Sequence, residues 1–309
     1  MHKIMFGALA AGFIGLCGAA SAQTQTAPPV GPDFANITVK TIDLGNRTWM
    51  LEGAGGNVTV AAGDDGIIMI DGQYAPMHDK LKAAIAALSP QPVKFLVNTH
   101  FHGDHSGGNE LFIKDGVTVV AHENVRTRLA AGSISNVSGA KTPPRPESGL
   151  PNKSYTGAIG PVLEVKGRKA PLMHPLNAHT DGDTYVFFAD ANVLSTGDTV
   201  SIGRYPNSDF VNGGNIKGMI AACDTFLGLA NDTTKIVPGH GPLANKAQLA
   251  EYRDMLVASR DRMLKLLAEE ESEADIYAAK PFADFDAKLG ANEQQSKNWI
   301  RVVYFSLKQ

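Results

Sequence analysis

The sequence predicts an α+β protein in which two mixed β-sheets pack face to face and helices cover their outer faces, a four-layer sandwich. The main observation is that the chain has two similar halves. Each half contains several short strand-like runs followed by segments with helical spacing. Glycine-rich turn signals separate the strand-like runs, as in residues 53–57 and 63–66. The chain shows no internal repeat, so the two halves share an architecture without sharing a sequence.

The first half begins with short runs rich in β-branched and apolar residues. These predict strands at residues 37–44, 47–51, 57–61 and 67–71. Met77, Leu81, Ile85 and Leu88 recur at helical spacing, which predicts a helix over residues 76–88. The remaining elements of this half are a strand at 93–98, a loop at 99–108, a helix from about 108, a strand at 117–121 and a helix at 123–131.

An irregular segment, residues 132–152, separates the halves and is rich in Ser, Gly and Pro. A long insertion of this kind inside a compact domain indicates a functional or mobile loop, and a mobile flap is one hypothesis for it. The second half then predicts strands at 162–166, 169–176, 184–189, 193–195 and 235–237. Helices are predicted at 215–229, at 246–270, in a short segment after that, and at 296–307, so that residues from about 245 to 309 are helical.

The N-terminal residues have the features of a secretory signal peptide. Lys3 precedes an apolar run without charges, and Ala20-Ser21-Ala22 is a small-residue cleavage pattern. We therefore expect residues 1–22 to be removed, residues 23–35 to form a flexible leader, and residues 36–309 to form one large domain. The expected location is outside the cytoplasm, most simply the periplasm, with no membrane attachment after cleavage.

The mature chain would have 309 − 22 = 287 residues and a formal charge of 27 − 31 = −4, because Lys3 is lost with the signal peptide. A mildly acidic chain without a basic run argues against a nucleic-acid partner and favours a small-molecule substrate. Cys223 would be its only cysteine, so no internal disulfide can form. Its position in an alanine-rich helical pattern predicts a buried, inert thiol.

The strongest chemical signal is the loop that follows the strand at 93–98. It places His100, His102, Asp104 and His105 within six residues. A strand end followed by a glycine-containing turn allows these side chains to converge instead of alternating outward. Neutral imidazoles and carboxylates are the ligands expected for zinc or another first-row metal. We interpret this cluster as a metal site.

Three more candidate ligands follow predicted strands in the second half. His179 comes after the strand at 169–176, Asp198 after 193–195 and His240 after 235–237. A single histidine in such a turn is a weak signal. Three such turns, in a chain that already contains a ligand cluster in need of partners, are a strong one. By contrast, His78, His122 and His174 are expected to have structural or solvent-exposed roles.

Together these residues resemble the metallo-β-lactamase superfamily. Its HxHxDH motif is matched by His100, His102, Asp104 and His105, and the later ligands are matched by His179, Asp198 and His240. The resemblance covers residues 37–240 and implies an αβ/βα sandwich with the site between the sheet edges. It also implies that Asp71, after the strand at 67–71, orients the ligand loop without touching metal.

The resemblance further implies a metal-dependent hydrolase with two zinc ions, iron or manganese being alternatives. His100, His102 and His179 would hold one ion and Asp104, His105 and His240 the other, with Asp198 bridging them. Two such ions lower the pKa of a shared water to near 7 and polarise the substrate carbonyl, so hydroxide opens an amide or ester bond. Asp104 is in addition the candidate catalytic residue that orients the attacking water or moves its proton.

The substrate is less determined than the chemistry. β-Lactamase-like activity is the leading interpretation, although Ser201 stands where one lactamase subclass has a carboxylate-binding lysine and where the acyl-homoserine lactonases have a tyrosine. Lactonase, glyoxalase II-like thioesterase and phosphodiesterase activities remain alternatives. A mono-iron persulfide dioxygenase is a further alternative, and a non-catalytic metal-binding protein is another. Polar residues in or beyond the loop after Asp198 are candidate substrate-binding residues: Ser201, Arg204, Asn215 and Lys217.

Overall fold

A computed structural model describes residues 32–309. The expected signal peptide at 1–22 and most of the expected leader lie outside the described residues. In the described part, each half of the chain has several strands followed by helices, as the sequence predicts. The strands are β1 (Lys40–Gly45), β2 (Thr48–Glu52), β3 (Val58–Ala62), β4 (Ile67–Ile70), β5 (Val93–Val97), β6 (Thr118–His122), β7 (Ser133–Ile134), β8 (Lys141–Thr142), β9 (Lys153–Tyr155), β10 (Ile159–Val165), β11 (Arg168–Met173), β12 (Tyr185–Phe188), β13 (Val193–Ser195) and β14 (Lys235–Val237).

The helices fall into two groups, one in each half of the chain. In chain order they are α1 (His78–Leu88), α2 (Gly103–Ser106), α3 (Asn109–Lys114), α4 (Glu123–Ala131), α5 (Ile216–Leu229), α6 (Lys246–Ala268), α7 (Glu273–Ala279), α8 (Ala283–Leu289) and α9 (Glu293–Leu307). None of the helices in residues 32–309 is both long enough and apolar enough to cross a membrane.

The strands form two large sheets. The first sheet has the order β1-β2-β3-β4-β5-β6-β9, and the second has the order β10-β11-β12-β13-β14. Strands β1 to β4 are antiparallel, whereas β4, β5, β6 and β9 are parallel. In the second sheet only the last pair, β13 and β14, is parallel. Both sheets are therefore mixed, as predicted.

The side-chain alternation of the strands builds the four layers. In β4, Ile68 and Ile70 face an apolar cluster that also contains Leu172 and Phe188 of the second sheet, so the two sheets pack against each other. The intervening residues of β4, represented by Met69, face the opposite way, toward α1 and α3. This arrangement confirms the expected sandwich.

The outer face of the second sheet is covered by C-terminal helices. Leu194 and Ile236, from β13 and β14, pack with buried side chains of α5, α6 and α9 that include Met219, Leu256 and Trp299. Cys223 belongs to the same cluster and is fully buried, and it is the one cysteine among the described residues. Burial raises the pKa of its thiol, which makes it inert, as expected.

The parallel strands bring their carboxyl ends to a common edge of the sandwich. The loop after β5 and the residue after β4 lie at this edge in the first sheet. The turns after β13 and β14 lie together in the second sheet because those strands are parallel. The β11–β12 loop joins them because β12 runs antiparallel to β13, so it starts where β13 ends. The topology thus gathers every segment that carries a predicted ligand.

Candidate metal centre

The seven predicted ligand residues lie together in two adjoining groups. One group contains His100, His102, His179 and Asp198, and the other contains Asp104, His105 and His240. Within each group, one donor atom from every residue lies within 4.8 Å of the others, a spacing that a single metal ion could span. The loops that carry these residues are separated by up to about 140 positions in the chain, so the fold, not local sequence, brings them together.

Asp198 lies between the two groups. One of its oxygens, Oδ1, is 3.1 Å from His105 Nε2, and the other, Oδ2, is 3.4 Å from His240 Nε2. Oδ2 is also 3.7 Å from His179 Nε2 and 3.9 Å from His100 Nε2. Asp198 therefore faces ligands of both groups, which is the position that the resemblance implies for a bridging carboxylate.

The donor set fits a metal ion on chemical grounds. His100 Nε2 is buried and has no hydrogen-bond partner within residues 32–309. A buried polar atom without a partner is costly, and a metal ion is one group that could satisfy this lone pair. Imidazole nitrogens and carboxylate oxygens are the ligands that zinc accepts, and together the two groups supply five of the former and two of the latter.

Asp71 contacts one imidazole directly from outside the cluster, that of His105, and reaches a second, that of His100, through Thr99. Its Oδ2 is 2.8 Å from His105 Nδ1 and also accepts a 2.8 Å hydrogen bond from the Thr99 hydroxyl. That hydroxyl lies 3.0 Å from His100 Nδ1, and the Thr99 backbone N–H donates to Asp71 Oδ1 at 2.8 Å. The contacts turn the Nε2 atoms of both histidines toward the cluster. Asp71 thus orients the ligand loop without entering it.

Asp209 performs the same task for His102, and the sequence analysis missed it. Its buried Oδ2 is 2.9 Å from His102 Nε2 and accepts a 2.7 Å hydrogen bond from Asn212 Nδ2. The Nδ1 atom of His102 then faces inward, 3.0 Å from His179 Nε2. The outer nitrogen of His179 contacts the backbone carbonyl of Asn207, in the same loop as Asp209. The sequence around Asp209 has no pattern that would distinguish it from an exposed loop aspartate.

Burial keeps two imidazoles of the first group, those of His100 and His179, neutral. It lowers the pKa of His100 well below its ordinary value, an effect that the neighbouring His105 and His179 reinforce. Burial also lowers the pKa of His179 to about 4, although the carboxylate of Asp198 opposes it. Neutral imidazole is the form that binds metal, so these two side chains are ready to act as ligands at neutral pH.

Carboxylates keep the second group of imidazoles protonated when no metal is bound. Asp198 raises the pKa of His240 to about 9, against the effect of burial. Burial alone would lower the pKa of His105, but Asp198 and Asp104 outweigh it and raise that pKa well above the ordinary value. Burial likewise opposes the ionisation of Asp104, yet the positive charge of His105 and the hydrogen bond from His240 lower its pKa to about 2. Metal binding must therefore displace protons from this group.

The cluster can be reached from solvent along one side. The side chains of His102, Asp104 and His240 are 23%, 22% and 19% exposed, whereas those of His100 and His105 are almost fully buried. Asp104 therefore combines two properties. Its Oδ2 lies 3.1 Å from Nε2 of the ligand histidine His240, and its side chain is open to an incoming molecule. This position suits the catalytic role predicted for it.

The four predicted substrate-binding residues differ in their placement. Ser201 is buried and pairs with His240 in an isolated β-bridge. Arg204 is exposed and lines a cavity of about 560 Å³ against α6 and α8. Asn215 caps α5 by accepting a hydrogen bond from the Lys217 backbone N–H, and its amide donates to Ser306 O, so its side chain is used within the fold. Lys217 is exposed on α5. Ser201 is thus the one of the four that adjoins a ligand residue.

The other three histidines lie outside both groups, as expected. His78 is hydrogen-bonded to Asp79 and Asp115. The rings of His122 and His174 stack with centroids 4.0 Å apart.

The comparison with protein families identifies the class. The profile of the metallo-beta-lactamase superfamily matches residues 51–240, a span that begins in β2 and ends at the ligand His240. The chain belongs to this superfamily, whose members are typically metal-dependent hydrolases.

Individual relatives are distant and chemically diverse. The α-subunit of a 2,4-dinitroanisole O-demethylase from Nocardioides sp. (strain JS1661) is 26% identical over 63% of this chain, and the match spans 55% of that protein's length. An atrochrysone carboxyl ACP thioesterase from Aspergillus chevalieri is 25% identical over 80% of this chain and 71% of its own. A solved metallo-beta-lactamase from Pontibacter korlensis superposes with a TM-score of 0.58 at 20% identity, covering 71% of this chain and 99% of that one. This last likeness establishes the fold alone.

Proposed function

We propose that this protein is a dinuclear zinc hydrolase that opens an amide or ester bond in a small molecule. The observation that carries the proposal is the convergence of His100, His102, His179, Asp104, His105, His240 and Asp198 into two adjoining groups. Membership of a superfamily of metal-dependent hydrolases supports the reaction class.

Each residue of the cluster would have a role that follows from its position. His100, His102 and His179 would hold one ion, Asp104, His105 and His240 the other, and Asp198 would be shared. When bound, such a pair polarises a carbonyl and brings the pKa of a water to near neutrality. Asp104 is open to solvent and hydrogen-bonded to His240, so it would orient the attacking water and accept its proton. Asp71 and Asp209 keep the imidazole rings in place while this happens.

We propose a cyclic amide or cyclic ester as the substrate, with β-lactams the first compounds to test. The expected signal peptide supports this choice, because an exported enzyme meets such compounds in the periplasm. A mildly acidic chain without a basic run also favours a small molecule over a nucleic acid. Lactones and phosphodiesters follow as the next compounds to test.

Thioester hydrolysis is the second candidate. It is favoured by the relative from Aspergillus chevalieri, a thioesterase whose match extends over 80% of this chain. A thioester needs the same attack on a carbonyl carbon, so the cluster would serve both reactions unchanged. The discriminating measurement is the turnover of a panel of β-lactams, lactones, thioesters and phosphodiesters by the purified, zinc-loaded protein. A chromogenic cephalosporin left intact at high enzyme concentration would remove the lactamase assignment.

The decisive variant is Asp104→Ala. We expect it to lower the rate of hydrolysis by roughly 10²–10⁴-fold, because it removes both a ligand and the group that handles the proton. Asp232→Ala is the matched control, since Asp232 is exposed and forms no salt bridge within residues 32–309. Metal analysis accompanies the assay: two equivalents of zinc support the proposal, whereas a single iron would indicate the persulfide dioxygenase alternative. Full turnover by a folded, metal-stripped sample would overturn the mechanism.

A further inference from the structure

Arg145 reaches the ligand loop from the insertion at residues 132–152. Its backbone N–H donates to Leu129 O at 2.9 Å, and its Nη1 donates to Ser106 O, at the end of the short helix α2, at 2.6 Å. Its other terminal nitrogen, Nη2, lies beside Gly103, the exposed residue between the ligands His102 and Asp104. A methyl group on Gly103 would be 3.9 Å from Nη2. The guanidinium therefore stands at the solvent-facing side of the cluster.

The charge of Arg145 is not balanced by a carboxylate within the part of the chain that the structure describes. The two arginines of the adjacent helix α4 are balanced: Arg126 pairs with Glu147, and Arg128 pairs with Asp181. Arg204 and Arg301 also form no ion pair there, but both are exposed, whereas Arg145 is half-buried. Burial accordingly lowers the pKa of the Arg145 guanidinium. A half-buried cation that lacks a counter-ion is costly unless a ligand supplies the negative charge.

The space next to the Arg145 guanidinium suits a small anion. A cavity of about 50 Å³ lies between Arg145, Arg128, His102 and Gly103, which is room for one small oxyanion group. The ring of Tyr74 also lies near Gly103, with its Cε1 atom 3.9 Å from the same methyl position. Arg145 and the ring of Tyr74 thus both lie beside Gly103, between two ligand residues.

We propose that Arg145 binds an anionic group of the substrate, a carboxylate or a sulfate, beside the bond that is hydrolysed. This rests on the proposed function and narrows it to substrates that carry a negative charge close to the reacting amide or ester. A guanidinium presents several N–H groups in one plane, and Nη2 remains available to an oxyanion while Nη1 stays bonded to Ser106.

The first test uses zinc-loaded full-length protein and two chromogenic esters that differ only in bearing a free carboxylate or its neutral carboxamide. We expect Arg145→Gln to raise KM for the carboxylate ester by about tenfold or more, with kcat nearly unchanged and the neutral ester unaffected. Arg145→Lys should recover part of the loss, because it keeps the charge. Arg126→Gln is the matched control, since Arg126 also contacts the insertion, at Pro151 O, but pairs with Glu147 on the surface.

The second test is independent of turnover. Inorganic sulfate is titrated into the zinc-loaded wild type, Arg145→Gln and Arg126→Gln, and binding is followed by calorimetry. Weaker sulfate binding in Arg145→Gln alone supports the anion site. Equal binding in all three proteins, or an equal loss of both esters in Arg145→Gln, would overturn it. If the wild type hydrolyses neither ester, the proposed function fails on its own, and the sulfate titration still decides the role of Arg145.

Discussion

At the residue scale, four of the clustered imidazoles have one nitrogen facing the cluster and the other held by an outer partner. The partners are Asp71, Thr99, Asp209 and the carbonyl of Asn207. Such contacts fix the ring orientation before any ion arrives, so less ordering is needed on binding. The orientation also decides which nitrogen can bind: Nε2 in His100, His105 and His179, and Nδ1 in His102.

Asp209→Asn tests this outer support. Asparagine has nearly the same shape but loses the negative charge that holds the Nε2–H group of His102, so we expect roughly 10–100-fold weaker metal binding in a folded protein. Competition with a chromogenic zinc chelator measures the affinity directly. Asp232→Asn, an exposed change of the same chemistry, should bind metal like the wild type. Unaltered affinity in Asp209→Asn would show that packing alone orients His102.

The contrast between Asp71 and Asp209 shows what the sequence can and cannot reveal about single residues. Asp71 follows a run of four buried apolar residues, Ile67–Ile70, so both its place at a strand end and its match to the family are visible in the sequence. Asp209 lies in an irregular loop more than a hundred positions from His102. Only the three-dimensional path of that loop, tied to His179 by the bond from Asp209 N–H to His179 O, brings the carboxylate to the imidazole.

At the element scale, the ligand-bearing turns pack too closely for ordinary side chains. A methyl group on Gly56 would lie 2.0 Å from His105 Cε1, and one on Gly239 would lie 2.0 Å from Asp198 Oδ1. The two glycines therefore allow the turn between β2 and β3 and the turn after β14 to pack directly against the ligand side chains. The backbone of these turns thereby restricts the movement of the ligand side chains.

The Gly56→Ala substitution tests whether this close packing holds the ligand side chains in position. The added methyl group must displace the buried ring of His105, so we expect weaker metal binding, lower activity and a lower melting temperature, with a destabilisation of about 1–3 kcal/mol. Gly228→Ala is the matched control, because a methyl group there meets no atom within 4 Å. It lies in helix α5 and should stabilise the protein by roughly 0.5–1 kcal/mol. Thermal unfolding with and without zinc compares the two variants. If the Gly56→Ala protein is as stable and active as the wild type, the turn can move to accommodate the methyl group.

Element positions were predicted well where periodic burial defines them and less well where tertiary contacts do. The amphipathic spacing of Met77, Leu81 and Ile85 correctly indicated a helix, and in the structure these side chains pack on the first sheet. The C-terminal helix was predicted to start at 296 but begins at Glu293, because Asn292 and Gln295 form a capping box. The insertion contains a short hairpin of β7 and β8 that its Gly, Ser and Pro content did not indicate. That the insertion closes over the site as a flap stays a prediction.

At the scale of the whole molecule, the sandwich builds its candidate metal site from two otherwise separate halves. The first sheet carries the HxHxDH loop, and the second carries His179, Asp198 and His240, while a shared apolar cluster fixes the distance between the sheets. The fold class was predictable because each half shows its own strand and helix periodicities. The depth of burial of the site's side chains could not be predicted from the sequence, because it depends on how loops from both sheets cover one another.

The stacked pair His122 and His174 gives the whole fold a specific sensitivity to acid. Burial, reinforced by the neighbouring His174, lowers the pKa of His122 to about 4 from an ordinary value of 6.5. A base whose pKa is lowered by folding resists protonation in the native state and accepts a proton more readily when unfolded. Its neutral form therefore contributes stability above about pH 6.5, and this contribution is lost as the pH falls through 6.5 toward 4.

His122→Asn isolates this contribution. Asparagine does not titrate, yet it can still cap α4, where the His122 ring accepts a hydrogen bond from the Asn124 backbone N–H at 3.3 Å. We expect the free energy of unfolding of the variant to fall less steeply than that of the wild type between pH 6.5 and 4. Denaturant titrations of both proteins at matched zinc concentration measure the difference, in which the acid release of metal, common to both, cancels. Parallel curves across this range would mean that His122 is protonated as easily in the folded protein as in the unfolded chain.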